Sequence, residues 1–207
     1  MKLIIGISGK AGHGKDSLAD IIQKDINEDE DHNVFFERVR YADKLKDVCA
    51  DLFDIDQSGQ NNLDYKDVPI PHLDNMTPRE VWQIFGTEVA RNIFDNVWIY
   101  HHEKRIIKTL LDNYAHSENV IVFTTDIRFQ NEYNSLKNFG KNNSVDIDTC
   151  LIRVNRPGFS IVTGKDHSSE DGLDDVIEWD YFIESKNMDS LAIQGETISK
   201  MIIKKYL

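Results

Sequence analysis

The sequence predicts a three-layer α/β/α protein in which helices cover both faces of a parallel sheet. Short apolar runs rich in β-branched residues alternate with segments of helical periodicity along all 207 residues. A glycine-rich loop separates the first run from the first helical segment, and we find no internal repeat or linker. This length suits one domain with a sizeable core, and 40% of the residues are hydrophobic, as in globular proteins.

The first strand and helix are predicted on either side of the glycine-rich loop. Lys2 to Ser8 is an apolar run that ends at glycine, and apolar residues from Leu18 to Ile26 follow at helical spacing. A second strand is predicted over VFFERVRYAD and a short helix over KLKDVCADLF. Asp54 to Asn75 has no periodicity and contains two prolines, so we expect a long surface loop there.

The stretch TPREVWQIFGTEVAR predicts a helix with a defined start. Thr77 is a good N-cap, Pro78 suits the first helical position and Glu80 completes a capping box. A second amphipathic helix is predicted over NVWIYHHEKRIIKTLLDNY. Helical spacing predicts the core residues Trp82, Phe85 and Val89, and the adjacent His101 and His102 are expected at the surface.

The second half of the chain continues the alternation. Asn119 to Asp126 (NVIVFTTD) is the clearest buried strand, and RFQNEYNSLKNFG predicts a helix that ends at Gly140. TCLIRVNRPG and YFIES predict two more strands, and a closing helix is expected over Asp189 to Tyr206.

Composition argues against several classes of protein. A net charge of −12 disfavours non-specific binding to nucleic acid or to an anionic membrane. No apolar run reaches the ~18 residues of a membrane span, and the N-terminus lacks a signal-peptide core, so a cytoplasmic protein is expected. Cys49 and Cys150 do not suggest a disulfide framework and are expected to be buried thiols.

The loop GISGKAGHGKDSLAD fits the frame of a phosphate-binding loop at Gly9 and at Gly14-Lys15. Glycines at 9, 12 and 14 allow backbone N–H groups to form an anion nest, to which the following helix adds its positive end. Asp16 stands where the frame has Ser or Thr, and Ser17 follows it. His13 is expected to face solvent. The alternative is a generic glycine-rich turn between a strand and a helix.

Asp126 ends the predicted buried strand, where a carboxylate suits Mg²⁺ or its water ligands. The alternative is an N-cap or a surface carboxylate. Arginines are candidates for clamping phosphate because a guanidinium can make two parallel hydrogen bonds. Each could instead pair with one of the 36 acidic residues. The candidates are Arg91, Arg128, Arg153 and Arg156.

Six stretches together resemble the deoxynucleoside monophosphate kinases of tailed bacteriophages. In chain order they are GKAGHGKDS, YADKLK, TPREVWQIFGTEVAR, NVWI, TDIRFQNE and DHSSE. The resemblance is weakest over Asp54–Asn75 and Lys137–Asp148. In this family the loop commonly ends G-K-D followed by Ser or Thr, so the resemblance implies that Asp16 is a family variant.

The resemblance implies one P-loop kinase domain over residues 1–207 that transfers the γ-phosphate of ATP, with Mg²⁺, to a (deoxy)nucleoside monophosphate. It also implies a helical region at about 43–115 that binds the monophosphate and a lid at about 156–175. A homodimer is expected, and the location would be the host cytoplasm if the protein is viral.

Individual roles follow from the same resemblance. The catalytic residues would be Lys15, Asp126 and Arg128, and the metal ligands Asp16, Ser17 and Asp126. ATP would be bound by Gly9, Ala11, Gly12, His13, Gly14, Lys15, Asp16, Ser17, Arg153 and Arg156, with Lys165 and His167 in or beside the lid. The monophosphate would be bound by Asp43, Lys44, Lys46, Thr87, Glu88, Arg91, Trp98 and Arg128.

Two alternatives stay open at this point. The chain could be a P-loop kinase for another phosphorylated metabolite, such as phosphomevalonate or dephospho-coenzyme A. It could also be a nucleotide-binding module without an acceptor, although switch motifs are lacking. The TPREVWQIFGTEVAR stretch favours the monophosphate kinase over both.

Overall fold

The computed structural model describes residues 1–29, 33–56, 65–113, 119–159 and 172–207. The chain divides into two compact units. The first comprises Met1–Arg40 and Arg105–Leu207, and the second comprises Tyr41–Lys104.

The first unit is built on a five-stranded parallel sheet, as the sequence predicts. The strands are β1 (Lys2–Ser8), β2 (Val34–Arg38), β3 (Asn119–Ile127), β4 (Asp148–Asn155) and β5 (Tyr181–Glu184). They pair in the order β2-β3-β1-β4-β5, with every neighbour parallel. The carboxyl ends of β1, β3 and β4 therefore meet at one edge of the sheet, where ligands bind in open α/β folds.

One face of this sheet carries the main core. Apolar residues of the central strands pack against α1 (Lys15–Glu28) and the closing helix α7 (Met188–Tyr206). The two helices meet closely at Gly195, where a Cβ would come within 2.7 Å of Ile21. The interior of β1 and of β3 is apolar on both faces, which is typical of a parallel sheet buried between helices.

The opposite face is covered by α5 (Gln130–Lys137), followed by the short α6 (Phe139–Asn143). Leu136 of α5 packs over Gly6 of β1, where a Cβ would lie 3.2 Å from its Cδ1. The prediction that this helix ends at Gly140 is wrong. Gly140 lies inside α6, where an added Cβ would come within 2.9 Å of the carbonyl of Val145, and the αL residue at the end is Ser144.

The second unit is helical. It contains α2 (Tyr41–Phe53), α3 (Pro78–Gln83) and the beginning of α4 (Val97–Asn113), which ends in the first unit. The capping box of Thr77 and Glu80 is confirmed by both of its hydrogen bonds. A π-helical segment continues α3 over Ile84–Arg91 and contains the GTEVAR stretch.

Several local predictions for the second unit are wrong. Tyr41 begins a helix, although the sequence predicted that it belongs to the second strand. The predicted surface loop contains ordered turns over residues 65–76. There, two 3₁₀ turns pack Tyr65, Ile70 and Leu73 against a cluster formed by α2 and α3. Residues 57–64 of that loop lie outside the described residues.

Two side chains of the second unit differ from the sequence prediction in their exposure. Val89 is 41% exposed, whereas Trp82 is in the core as predicted. The wider π-helical turn replaces the α-helical spacing on which the prediction for Val89 depends. His102 is only 2% exposed because its ring stacks on Tyr41 at 3.9 Å between centroids.

Both cysteines are buried and free, as predicted. Burial raises the pKa of Cys49 to about 11 and that of Cys150 to about 12, so both stay protonated thiols at neutral pH. Within the described ranges, no helix combines the length and apolarity that crossing a membrane requires.

Candidate active site at the phosphate loop

The phosphate loop joins β1 to α1 and takes its shape from three glycines. Gly12 and Gly14 have φ values of +74° and +89°, which side chains rarely tolerate. Gly9 is needed for a different reason, since a Cβ there would lie 2.6 Å from the carbonyl oxygen of Val154 in β4. The loop therefore fits tightly against the carboxyl end of β4, and α1 begins directly after Gly14 at Lys15.

Lys15 lies across the loop that precedes it. Its ammonium donates hydrogen bonds to the carbonyls of Gly9 at 2.7 Å and Lys10 at 2.9 Å. This places a positive charge on the loop, at the N-terminus of a 14-residue helix whose dipole also favours anions. The arrangement suits the binding of phosphate.

The side of the loop toward β3, here called the β3 flank, is held by a carboxylate. Asp16 Oδ1 accepts a hydrogen bond of 2.7 Å from the hydroxyl of buried Thr125 and lies 3.6 Å from the guanidinium of Arg40. Ser17 is in the first turn of α1, and Asp126 is the residue of β3 next to Thr125. Asp16 is thus the predicted metal ligand whose carboxylate contacts this flank, and the roles of Ser17 and Asp126 stay predictions.

These oxygen donors fit Mg²⁺ chemically. Mg²⁺ prefers oxygen ligands, keeps several waters and usually takes one or two protein carboxylates together with substrate phosphates. The Asp16 side chain is 62% exposed even though it binds Thr125. Among the residues that the structure describes, no group of three or more His, Cys, Asp or Glu is placed to hold a metal ion.

The opposite side of the loop, here called the β4 flank, carries an ion-pair network. Arg153 of β4 donates to Ser8 Oγ at 2.8 Å and to Asp174 at 2.6 Å. Asp174 also pairs with Lys10 of the loop at 2.9 Å. Ser8 Oγ in turn donates to the carbonyl of Ile127 at 2.9 Å. Arg153 is therefore fixed to the end of β1 and beside the loop.

His13 departs from its prediction as a solvent-facing residue. It is only 6% exposed, and both ring nitrogens contact the turn that follows β4. Nδ1 lies 3.1 Å from the backbone nitrogen of Arg156, and Nε2 lies 3.3 Å from the carbonyl oxygen of Phe159. The sequence could not reveal this burial, because it depends on a segment 143 or more residues away.

Arg156 is the second predicted ATP-binding arginine, and its guanidinium lies 4.1 Å from the ring centroid of Phe159. A backbone hydrogen bond of 3.2 Å from Phe159 N to Arg156 O closes the turn, in which Gly158 has a φ of +74°. Lys165 and His167 lie outside the described residues, as do residues 160–171 of the predicted lid.

Arg128 follows the end of β3 and is positioned through its backbone. The buried carboxylate of Glu132 accepts hydrogen bonds from the N–H groups of Arg128 at 2.8 Å and Phe129 at 3.2 Å. These bonds cap the start of α5 and fix the chain direction at Arg128. Asp126 and Arg128 thus both belong to the carboxyl end of β3.

The predicted monophosphate-binding residues fall in the second unit, apart from Arg128. Asp43, Lys44 and Lys46 are in the first two turns of α2, and Thr87, Glu88 and Arg91 are in the π-helical segment. The Arg91 side chain is 8% exposed and donates to Asp95, to its carbonyl at 3.1 Å and its carboxylate at 3.5 Å. Trp98 is buried, and its indole N–H donates to the carbonyl of Gly86 at 3.0 Å.

Three residues at the loop were missed by the sequence analysis. Arg40 and Thr125 contact Asp16, and Asp174 joins Arg153 to Lys10. Arg40 and Thr125 could have been found from position, because residues at the ends of neighbouring parallel strands meet at one edge. Asp174 carries no such signal, since it belongs to an irregular segment.

Two curated viral proteins are similar to this chain. A protein of Acanthamoeba polyphaga mimivirus, provisionally named deoxynucleotide monophosphate kinase, is 29% identical over 186 residues, which cover 86% of each chain. The deoxynucleoside-5'-monophosphate kinase of Escherichia phage T5 is 29% identical over 99 residues, covering 47% of this chain and 35% of the phage protein. The chain is homologous to proteins named as deoxynucleotide and deoxynucleoside monophosphate kinases. The resemblance drawn from the six motifs is confirmed.

Other comparisons add less. No family model matches the chain. Among solved structures, the chain superposes on the APS kinase of Mycobacterium tuberculosis with a TM-score of 0.46 at 8% identity, covering 98% of this chain and 97% of that one. A TM-score and an identity this low do not transfer a function.

Proposed function

We propose that this protein is an ATP-dependent (deoxy)nucleoside monophosphate kinase that uses Mg²⁺. The observation that carries the proposal is the phosphate loop, with Lys15 at the start of α1, in a chain similar over 86% of its length to a viral protein named for this activity. Phosphoryl transfer depends mainly on positioning the reactants and neutralising charge. The loop and the cations around it supply both.

In this proposal, residues Gly9–Ser17 hold the ATP phosphates through backbone N–H groups. The Lys15 ammonium exchanges its loop carbonyls for phosphate oxygens. An oxygen of the acceptor phosphate attacks the γ-phosphorus, the bond to the β-phosphate oxygen breaks, and ADP leaves. Asp16, Ser17 and Asp126 would hold Mg²⁺, which neutralises phosphate charge when bound.

In this proposal, the acceptor is assigned to the residues that the resemblance implies, which include Arg128 and members of the GTEVAR stretch. The π-helical form of the GTEVAR stretch supports this assignment, because π-helical turns occur frequently at functional sites. Asp43, Lys44, Lys46, Thr87, Glu88, Arg91 and Trp98 keep the roles that the resemblance implies. The lid over residues 156–175 also stays a prediction.

The remaining assignments are part of the same proposal. We place the enzyme in the cytoplasm, of a host cell if the gene is viral, and expect a homodimer that binds neither nucleic acid nor membrane. The net charge of −12 supports the last point, since an acidic protein repels polyanions.

A coupled assay that detects ADP tests the function directly. The purified chain is incubated with MgATP and each of a panel of acceptors: the common deoxynucleoside and ribonucleoside monophosphates, phosphomevalonate and dephospho-coenzyme A. We expect turnover with one or more deoxynucleoside monophosphates and none with Lys15→Ala. Turnover only with phosphomevalonate or dephospho-coenzyme A would mean that this metabolite, and not a nucleoside monophosphate, is the acceptor. ATP binding without any turnover would favour a nucleotide-binding module.

A further inference from the structure

His13 is bound at both ring nitrogens by a different part of the chain. Its Nδ1 faces the N–H of Arg156 at 3.1 Å, and its Nε2 faces the carbonyl of Phe159 at 3.3 Å. The ring also meets the Phe159 ring edge-to-face, with 6.3 Å between the centroids. The imidazole thus fixes the turn 156–159 to the phosphate loop, one residue before Gly14-Lys15.

These two contacts favour one protonation state of the ring. A backbone N–H can only donate, so Nδ1 must be the unprotonated acceptor. A carbonyl oxygen can only accept, so Nε2 must carry the hydrogen. Only the neutral imidazole with its proton on Nε2 satisfies both partners.

The surroundings favour the same state. Burial lowers the pKa of His13, and the positive charges of Lys15 in the loop and Arg153 in β4 lower it further, against the opposing effect of the backbone carbonyls. A protonated ring would add a positive charge beside Lys15 and Arg153 and turn a donor toward the Arg156 N–H.

We propose that His13 is a positioning residue. Its neutral ring, protonated on Nε2, holds the turn 156–159 in place so that Arg156 lies beside the phosphate loop. The inference rests on the proposed function in one respect, which is that ATP is the ligand of the loop. The link between the loop and the turn does not depend on that function. His13 itself need not touch ATP, because it acts through Arg156.

Three substitutions separate this role from packing alone. His13→Phe keeps an aromatic ring against Phe159 but has no acceptor for the Arg156 N–H. His13→Asn places an amide oxygen near the position of Nδ1 and can restore that acceptor, whereas His13→Gln places its amide near Nε2 and can restore only the contact with Phe159.

Calorimetric titration with MgATP is the first readout. We expect His13→Phe to weaken binding about tenfold, the cost of one hydrogen bond, and His13→Asn to stay within about threefold of the wild type. The KM for the monophosphate should change less than the affinity for ATP. In the Arg156→Ala background, His13→Phe should have no further effect, because two residues that act as one unit are not additive.

NMR supplies a readout that needs no ATP. Imidazole nitrogen and carbon shifts of His13 should report the neutral Nε2–H tautomer at pH 7, and the Arg156 amide should exchange faster in His13→Phe and His13→Gln than in His13→Asn. Failure of ATP to bind wild-type protein would sink the proposed function while leaving these two observations intact. A cationic or Nδ1-protonated ring, or equal ATP affinity in all three variants, would overturn the positioning role.

Discussion

The two flanks of the phosphate loop are held by different kinds of interaction. On the β4 flank, a neutral histidine ring and an arginine buried beside Ser8 tie the loop to the end of β4 and the turn after it. On the β3 flank, the exposed carboxylate of Asp16 binds one hydroxyl and faces one guanidinium. The first flank is tied to β4 and the following turn by partly buried hydrogen bonds, and the second presents the Asp16 carboxylate to solvent.

This difference suggests that the two flanks have different roles in binding the substrates and the metal ion. Because the β4 flank is linked to the strand and to the turn after it, we expect its cations to be positioned before any ligand arrives, which suits ATP phosphates that must be met in a set geometry. The β3 flank carries the carboxylate of Asp16, a proposed metal ligand, together with Arg40. We therefore expect changes on the β4 flank to affect ATP affinity, and changes on the β3 flank to affect the metal and the acceptor.

The largest effect should come from Lys15, whose ammonium lies on the phosphate loop itself. Lys15→Ala removes the ammonium that neutralises charge in the transition state, and we expect kcat to fall more than about 100-fold. The thermal melt should change little, because Lys15 is at the start of α1 and is not part of the main core. Lys24→Ala is the matched control, since the exposed Lys24 of the same helix pairs with Glu28 at 3.6 Å and its loss should cost little. Comparable losses of kcat in the two variants would contradict the assignment of Lys15.

Arg156→Ala and Arg128→Ala compare the two flanks directly. A charge-assisted hydrogen bond to phosphate is worth enough to shift affinity roughly 10- to 100-fold. We expect Arg156→Ala to weaken MgATP binding and Arg128→Ala to raise KM for the monophosphate, with little effect of either on the other ligand. Steady-state kinetics with each substrate varied in turn checks this. A loss of ATP affinity in Arg128→Ala alone would reverse the roles.

The substitution Asp16→Asn tests whether the Asp16 carboxylate on the β3 flank helps to bind Mg²⁺. The amide can still accept the hydrogen bond from Thr125 but loses the charge that would hold Mg²⁺. We expect MgATP binding to weaken by about tenfold and metal-free ATP binding to stay unchanged or become tighter, because like charges near phosphate repel. Calorimetry with Mg²⁺ and with a chelator measures both. Equal losses in the two conditions would indicate that Asp16 serves only the start of α1.

The smallest effect should be the contribution of His13 to the pH dependence of the free energy of unfolding. The pKa of His13 is lowered in the folded state, so the unfolded chain takes up the proton first as the pH falls. The stabilisation is complete above the ordinary value of 6.5 and is lost as the pH falls through the lower folded-state pKa. We expect the stability advantage of the wild type over His13→Phe, about 1 kcal/mol at pH 7.5, to shrink as the pH falls below 6.5. A constant difference across paired urea titrations would argue against a neutral, bound ring.

Sequence periodicity predicted the strands well because a parallel sheet buried on both faces imposes continuous apolar runs. The bounds of β1 agree with the prediction to the residue, and the loop motif located Gly9 and Lys15. Features that depend on distant contacts were not predicted. The burial of His13 is set by Arg156 and Phe159, and Gly140 is inside α6 because the carbonyl of Val145 approaches it.

Trp98 offers a spectroscopic probe of the π-helical segment. Its indole N–H binds the carbonyl of Gly86, inside the stretch assigned to the acceptor. A π-helical turn contains one residue more than an α-helical turn, so a slip in register would move that carbonyl away from the indole and change its hydration. In a chain carrying Trp82→Phe and Trp179→Phe, the emission wavelength of Trp98 would therefore report whether the segment keeps its wide turn when a monophosphate is added.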